Sequence, residues 1–219
     1  MTHSKDLVQV PGPGSEGASN SQLLPQQDCP SFVGDSVLDG AFKKISNSSF
    51  SGKYLVMLFY PMDWTFVCPT EIVEFSDRLE DFQACGCQVV AISTDTEFSH
   101  FQWTNTPRSQ GGVGKIKIPL LSDKGGSIAK AFGCFKMDDG VAFRGLYIID
   151  KKGKVRHLSI NDMAVGRSVD EVSSQQVFAW SRQIQSLSCS MLPSQNLNIY
   201  QDFQITDFFS HKLKTIDVT

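Results

Sequence analysis

The run Tyr54-Leu55-Val56-Met57-Leu58-Phe59-Tyr60 is apolar without interruption, with aromatic side chains at both ends and a β-branched residue inside. A strand with one wet face alternates apolar and polar residues, so an unbroken run of this length predicts a strand buried on both faces. Moving outward, residues 61–65 read as a turn, and Pro69 opens a helix, where its missing N–H costs nothing and its fixed φ helps. Ile72, Phe75, Leu79 and Phe82 follow at steps of three and four, while Glu74, Asp77, Arg78, Glu80 and Asp81 fill the other side. Gly86 closes this helix, and residues 88–93 (QVVAIS) read as the next buried strand. Strand, helix and strand make a βαβ unit, which sets the fold class as α/β.

Further along, a helix is expected from Glu97 to about Trp103, strand material at 116–121, and a short helix over 127–132 after Asp123-Lys124-Gly125-Gly126. Two β-rich runs, 145–150 and 155–160, flank Lys151-Lys152-Gly153-Lys154 and predict an antiparallel hairpin, so the central sheet is mixed and flanked by helices. Val169, Val172, Trp180, Ile184 and Leu187 share one face of a last helix. Residues 1–27, rich in Gly, Pro, Ser, Asn and Gln, hold too little apolar material to offset the entropy of ordering and read as a flexible arm. Residues 28–187 are one domain.

Composition narrows the function. A net charge of -3 gives no basic footprint for a nucleic-acid backbone, and no apolar run approaches the ~20 residues of a membrane span. The first 21 residues lack an apolar leader core, which makes the cytoplasm the expected location. Six cysteines at irregular spacing do not suggest a secreted disulfide scaffold. Cys85-Gly86-Cys87 has no matching Cys or His pair for zinc, so no metal or cofactor is expected, and these two, with Cys29 and Cys134, are read as packing groups.

Cys68 is different. Placed just before Pro69, it falls in the first turn of a helix, where the dipole and unpaired N–H groups favour a thiolate nucleophile. Thr65, three residues earlier, can bring a hydroxyl near the sulfur. Taken alone, Cys68 could be an inert buried cysteine, Arg144 a surface residue at a strand start, and Pro61 and Thr65 only turn and cap residues. A thioredoxin-type reductase would need a second cysteine at the position of Glu71.

The string FYPMDWTFVCPTE, residues 59–71, closely resembles the active-site loop of typical 2-Cys peroxiredoxins. The resemblance runs from about Cys29 to Glu171, through DGAFK (39–43), EFSDR (74–78), NTPR (105–108), FRGLYIID (143–150) and VGRSVDE (165–171). It implies a thioredoxin-like fold and a thiol peroxidase in which Cys68 becomes a sulfenic acid as it reduces hydrogen peroxide or an organic hydroperoxide. By the same likeness Pro61 shields the sulfur, Thr65 holds a peroxide oxygen, Arg144 keeps the thiolate ionised and Glu71 orients arginine. The implied partners are thioredoxin as reductant and a second copy of the chain, in a homodimer that can assemble into a ring-shaped decamer, with roles in redox homeostasis and peroxide signalling. The competing class is a binding protein, either a holdase chaperone or a redox relay.

Two further signals qualify the likeness. Gly111-Gly112-Val113-Gly114-Lys115 evokes a phosphate loop, but Ser109 and Ile116 break that pattern; the string is closer to the GGLG of overoxidation-sensitive peroxiredoxins, with Phe208-Phe209 a loose echo of their terminal Tyr-Phe element. After Glu171 the pattern departs: no Val-Cys-Pro occurs, and residues 188–219 form a divergent tail. Cys189 stands at about the family's spacing from Cys68, and is either the resolving cysteine on an altered tail or a chance cysteine. His100 is read as a satisfied structural histidine.

Overall fold

The computed structural model describes residues 23–172. In chain order its elements are β1 (Val33–Leu38), β2 (Ala41–Ser46), β3 (Tyr54–Phe59), α1 (Cys68–Asp77), α2 (Leu79–Ala84), β4 (Cys87–Ser93) and α3 (Glu97–Asn105). They continue with β5 (Leu120–Ser122), α4 (Ser127–Ala131), β6 (Phe135–Lys136), β7 (Val141–Ala142), β8 (Arg144–Ile149) and β9 (Val155–Asn161). One seven-stranded sheet has the order β2-β1-β5-β4-β3-β8-β9, and β6 with β7 makes a small ladder of its own. β3 runs parallel to β4 and antiparallel to β8, so the sheet is mixed as expected.

All six residues of β3 are buried, and their alternation divides the core. Val56 and Leu58 face a cluster with Ile72, Phe75, Phe82 and Trp103. Leu55, Met57 and Phe59 face the other, with Phe132, Tyr147 and Ile149. Period-two alternation makes this division automatic once both faces are covered by helices and loops. Cys68 belongs to the first cluster, so the candidate nucleophile grows out of the core.

Two expectations need correction. The amphipathic helix is two helices: the backbone leaves helical geometry at Arg78 (φ -100°, ψ 17°), which ends α1 and precedes α2. The apolar steps of three and four persist across the break because one residue out of register still leaves Leu79 and Phe82 facing the sheet. The strand expected over 116–121 is confined to Leu120–Ser122. Ile116 and Ile118 are buried as core-facing loop residues, so apolar pattern reported burial there and not a ladder. The β1–β2 hairpin, which pairs through Val37 and Phe42, carries no strong alternation and was not legible in the sequence. The last helix expected beyond Val172 lies outside the described residues, although Val169 and Val172 reach the core.

The 111–114 loop is held by backbone contacts. Trp103 Nε1 donates to the Gly111 carbonyl at 3.1 Å, and Gly114 N donates to the Thr106 carbonyl at 3.1 Å. A Cβ on Gly112 would stand 1.9 Å from that same Thr106 oxygen, so close backbone approach requires glycine here.

The β8–β9 hairpin is pinned by Asp150. Its carboxylate accepts from the backbone N–H of Lys152 and Lys154 at 2.8 and 2.9 Å and from Arg156 Nε at 2.7 Å. Burial pushes this carboxyl up, but the N–H groups and the guanidinium outweigh it and hold it below the usual range. A depressed carboxylate stabilises the fold above its unfolded pKa and ceases to do so as pH falls through its folded value. Asp150→Asn is therefore expected to cost about 1.5–3 kcal/mol near neutral pH, with the two proteins converging in acid, as urea melts across pH will read. A difference that stays constant into acid would contradict this.

Candidate active site

Cys68 is the first residue of α1, Pro69 follows it within the first turn, and the sulfur-bearing side chain is 1% exposed. Glu71 lies one turn on, which puts it on the same side of the helix. From the neighbouring strand β8, Arg144 reaches across: its Nη1 is 3.5 Å from Cys68 Sγ and 2.5 Å from Glu71 Oε2. Arg144 Nε donates to the Met163 carbonyl at 2.7 Å, which fixes the fork. The sequence motifs thus bring Cys68, Glu71 and Arg144 together in one buried contact set.

Arg167, which sequence reasoning quoted within VGRSVDE without giving it a role, completes the set. Its backbone N and Nε donate to Glu71 Oε1 at 2.7 and 2.9 Å, and its Nη2 to Oε2 at 3.2 Å. Its Nη1 donates to the carbonyls of Phe59 and Gly145 at 2.8 and 2.7 Å, tying the group to β3 and β8. The family-like string was the only signal that could have flagged it, since an arginine 96 positions from its carboxylate leaves no periodic trace.

Two guanidiniums against one carboxylate leave a positive charge in excess, all of it buried. A buried charge without a counter-charge is costly, and the Cys68 sulfur stands within 3.5 Å of the Arg144 guanidinium. Burial is the largest influence on the thiols of Cys29, Cys87 and Cys134 and pushes each up to about 12. Cys85 is half-buried against the core. Cys29 is half-buried, and Cys87 and Cys134 are buried, as packing groups should be.

The loop that delivers Cys68 runs over residues 61–67 with no ladder of its own. Pro61 is buried at its head. Thr65 is half-buried, and its hydroxyl donates to the Met62 carbonyl at 3.2 Å instead of to the sulfur, which leaves its oxygen lone pairs to accept. His100 is fully buried with Nδ1 2.9 Å from Asp63 Oδ2, but its Nε2 has no hydrogen-bond partner among the described residues, so it is satisfied at one nitrogen only. Cys189 lies outside the described residues.

A cysteine at a helix start beside a buried arginine–carboxylate group, on a mixed sheet flanked by helices, defines a thiol-based oxidoreductase of thioredoxin-like fold. Residues 25–158 match the AhpC/TSA family, and the chain belongs to that family, the peroxiredoxins. It is 54% identical over 142 residues to "Peroxiredoxin-2" of Rattus norvegicus, covering 65% of this chain and 72% of that one. Among solved structures it resembles the reduced 2-Cys peroxiredoxin of Plasmodium vivax, with TM-score 0.71 and 36% identity over 74% of this chain and 83% of the other. It also resembles thioredoxin peroxidase I of Plasmodium yoelii, with TM-score 0.68 and 37% identity over 80% of this chain and 99% of the other. The chain is accordingly a peroxidase of the oxidoreductase class, and no helix among the described residues is long and apolar enough to cross a membrane.

Proposed function

We propose that the Cys68 thiolate attacks the terminal oxygen of hydrogen peroxide or an organic hydroperoxide. The S–O bond forms as the O–O bond breaks, the sulfur is oxidised by two electrons to a sulfenic acid, and the leaving oxygen departs as water or an alcohol after taking a proton. The observation that carries this reading is Arg144 Nη1 at 3.5 Å from the sulfur. A guanidinium that cannot lose its charge complements the thiolate and donates to the oxygens as negative charge develops on them. Glu71 and Arg167 hold that guanidinium in place, Thr65 accepts from the peroxide O–H, and Pro61 keeps water from the sulfur.

The sulfenic acid is returned to thiol in two steps. Cys189 of the partner subunit attacks the sulfenic sulfur, an S–S bond forms and water leaves; thioredoxin then reduces the disulfide by thiol exchange. Kinship with a protein named thioredoxin peroxidase supports the choice of reductant. Exposed aromatic side chains on the 61–67 loop and on β2 and α3, Phe66 at 97% and Phe42 packed against Phe98 and stacked on the half-buried Phe101, support a homodimer that assembles further into a ring. The thiols at Cys29, Cys68, Cys87 and Cys134 suit a reducing compartment, the cytoplasm, where the enzyme serves redox homeostasis and peroxide signalling.

The test is steady-state peroxide reduction with thioredoxin and its reductase, comparing wild type with Cys189→Ser, alongside mass spectrometry of peroxide-treated protein. Wild type should turn over and yield a Cys68–Cys189 disulfide between chains. The Cys189→Ser protein should perform one oxidation, trapped as a sulfenic-acid adduct on Cys68, and then stall. Full turnover by Cys189→Ser would replace the two-cysteine cycle with reduction by an external thiol.

A further inference from the structure

The loop that carries Cys68 contains a strained residue, and the structure shows what holds it. Trp64 has φ 58°, in the left-handed region that a bulky side chain enters only when its surroundings enforce it. No strand or helix ladder runs through residues 61–67, so the enforcement must come from side chains.

It converges on Asp63, the residue directly before Trp64. Asp63 is buried, and its Oδ1 accepts from the Tyr60 hydroxyl at 2.8 Å. Its Oδ2 accepts from Ser99 Oγ at 2.8 Å and from His100 Nδ1 at 2.9 Å, both on α3. The carboxylate can only accept, so His100 Nδ1 carries the proton. The Asp63 backbone N–H donates to Asp95 Oδ2 at 2.9 Å. Asp95 is itself fixed, since its Oδ2 accepts from Ser93 Oγ at 2.7 Å and its carbonyl from Ser122 Oγ at 2.7 Å. The turn is thereby fastened to the ends of β4 and β5 and to the start of α3. On its far side the Thr65 hydroxyl closes onto the Met62 carbonyl, so Asp63 and Trp64 are bracketed by a contact that orients Thr65.

We propose that Asp63 is a positioning residue for the reaction at Cys68: by holding the strained Trp64 turn, it sets the direction of the Thr65 hydroxyl and the entry of the chain into α1. The proposal rests on Cys68 being the attacking atom. Asp63 makes no hydrogen bond to Cys68, Arg144, Glu71 or Arg167, so its effect passes through the backbone of the loop. A buried carboxylate with three side-chain donors is a stiff anchor, because releasing it leaves those donors unpaired in the core.

The test uses the full-length reduced protein and the second-order rate of its oxidation by hydrogen peroxide, read by stopped-flow tryptophan fluorescence, with Cys68→Ser as reference. Asp63→Ala is expected to lower this rate by about 10- to 100-fold, the loss typical of a reacting group misplaced by about an ångström. Asp63→Asn keeps an acceptor and the shape and should recover most of the rate. Trp64→Gly added to Asp63→Ala should recover part of it, because glycine adopts the required φ without strain. A merely structural role would lower the melting temperature of the Ala and Asn variants with no such graded rescue.

Oxidation of Asp63→Ala at the wild-type rate overturns the proposal, as does a loss shared equally by the Asn variant and unrelieved by Trp64→Gly. If Asp63→Ala does not fold, Ser99→Ala removes one donor to the same carboxylate, and an unchanged rate in that variant overturns the proposal too. Peroxide consumption by Cys68→Ser would instead defeat the reading of Cys68, a distinct outcome.

Discussion

Cys68→Ser is expected to reduce peroxide consumption to the uncatalysed background, a loss on the order of 10⁴-fold or more, as removal of a covalent nucleophile commonly gives. The serine hydroxyl is not ionised near neutral pH, and the excess positive charge of Arg144, Arg167 and Glu71 would face a neutral oxygen instead of a thiolate. The remaining buried thiols offer no replacement. Burial pushes the thiols of Cys29, Cys87 and Cys134 up to about 12, which keeps each in the protonated, weakly nucleophilic form near neutral pH. The measurement is peroxide disappearance with purified protein and a thiol reductant. Substantial residual consumption would place the chemistry on another cysteine.

Glu71→Ala is expected to carry the second-largest effect, and on stability as well as rate. The carboxylate is the only acidic partner of two buried guanidiniums among the described residues. Breaking a buried ion pair by removing one member typically costs about 3–5 kcal/mol, a large share of the ~5–15 kcal/mol that holds a domain folded. Urea denaturation of the reduced protein should show a loss of that size. Adding Arg167→Met should return part of the stability, since one of the two stranded charges is then gone, while the peroxide rate stays low because Arg144 is no longer aimed. A loss under about 1 kcal/mol in Glu71→Ala would mean that the two arginines find other partners or water.

The two faces of β3 and the helix-start position of Cys68 were both written locally. An unbroken apolar run can only be stable with cover on both sides, and a cysteine followed by Pro69 falls in a first helical turn whatever the rest of the chain does. The hairpin around Lys151–Lys154 was legible for the same reason, as two β-rich runs with a polar Gly-containing turn between them. The break at Arg78 was not, because one non-helical residue hardly disturbs the spacing of Phe75, Leu79 and Phe82. The strand at 116–121 shrank because apolar residues report burial, and burial in a loop looks the same as burial in a strand.

The sequence by itself determined the α/β class, the central strand and the position of Cys68 at the start of a helix, each read from a pattern local in the chain. It pointed to Arg144 and Glu71 only through likeness to a family. The meeting of Cys68 with Arg144, 76 positions away, the second guanidinium of Arg167 and the Asp63 anchor under the strained Trp64 turn were decided by tertiary structure alone. The physical reason is that charge pairing and backbone strain are settled by which elements pack side by side, and β8 comes to lie against β3 through sheet pairing that no local pattern specifies.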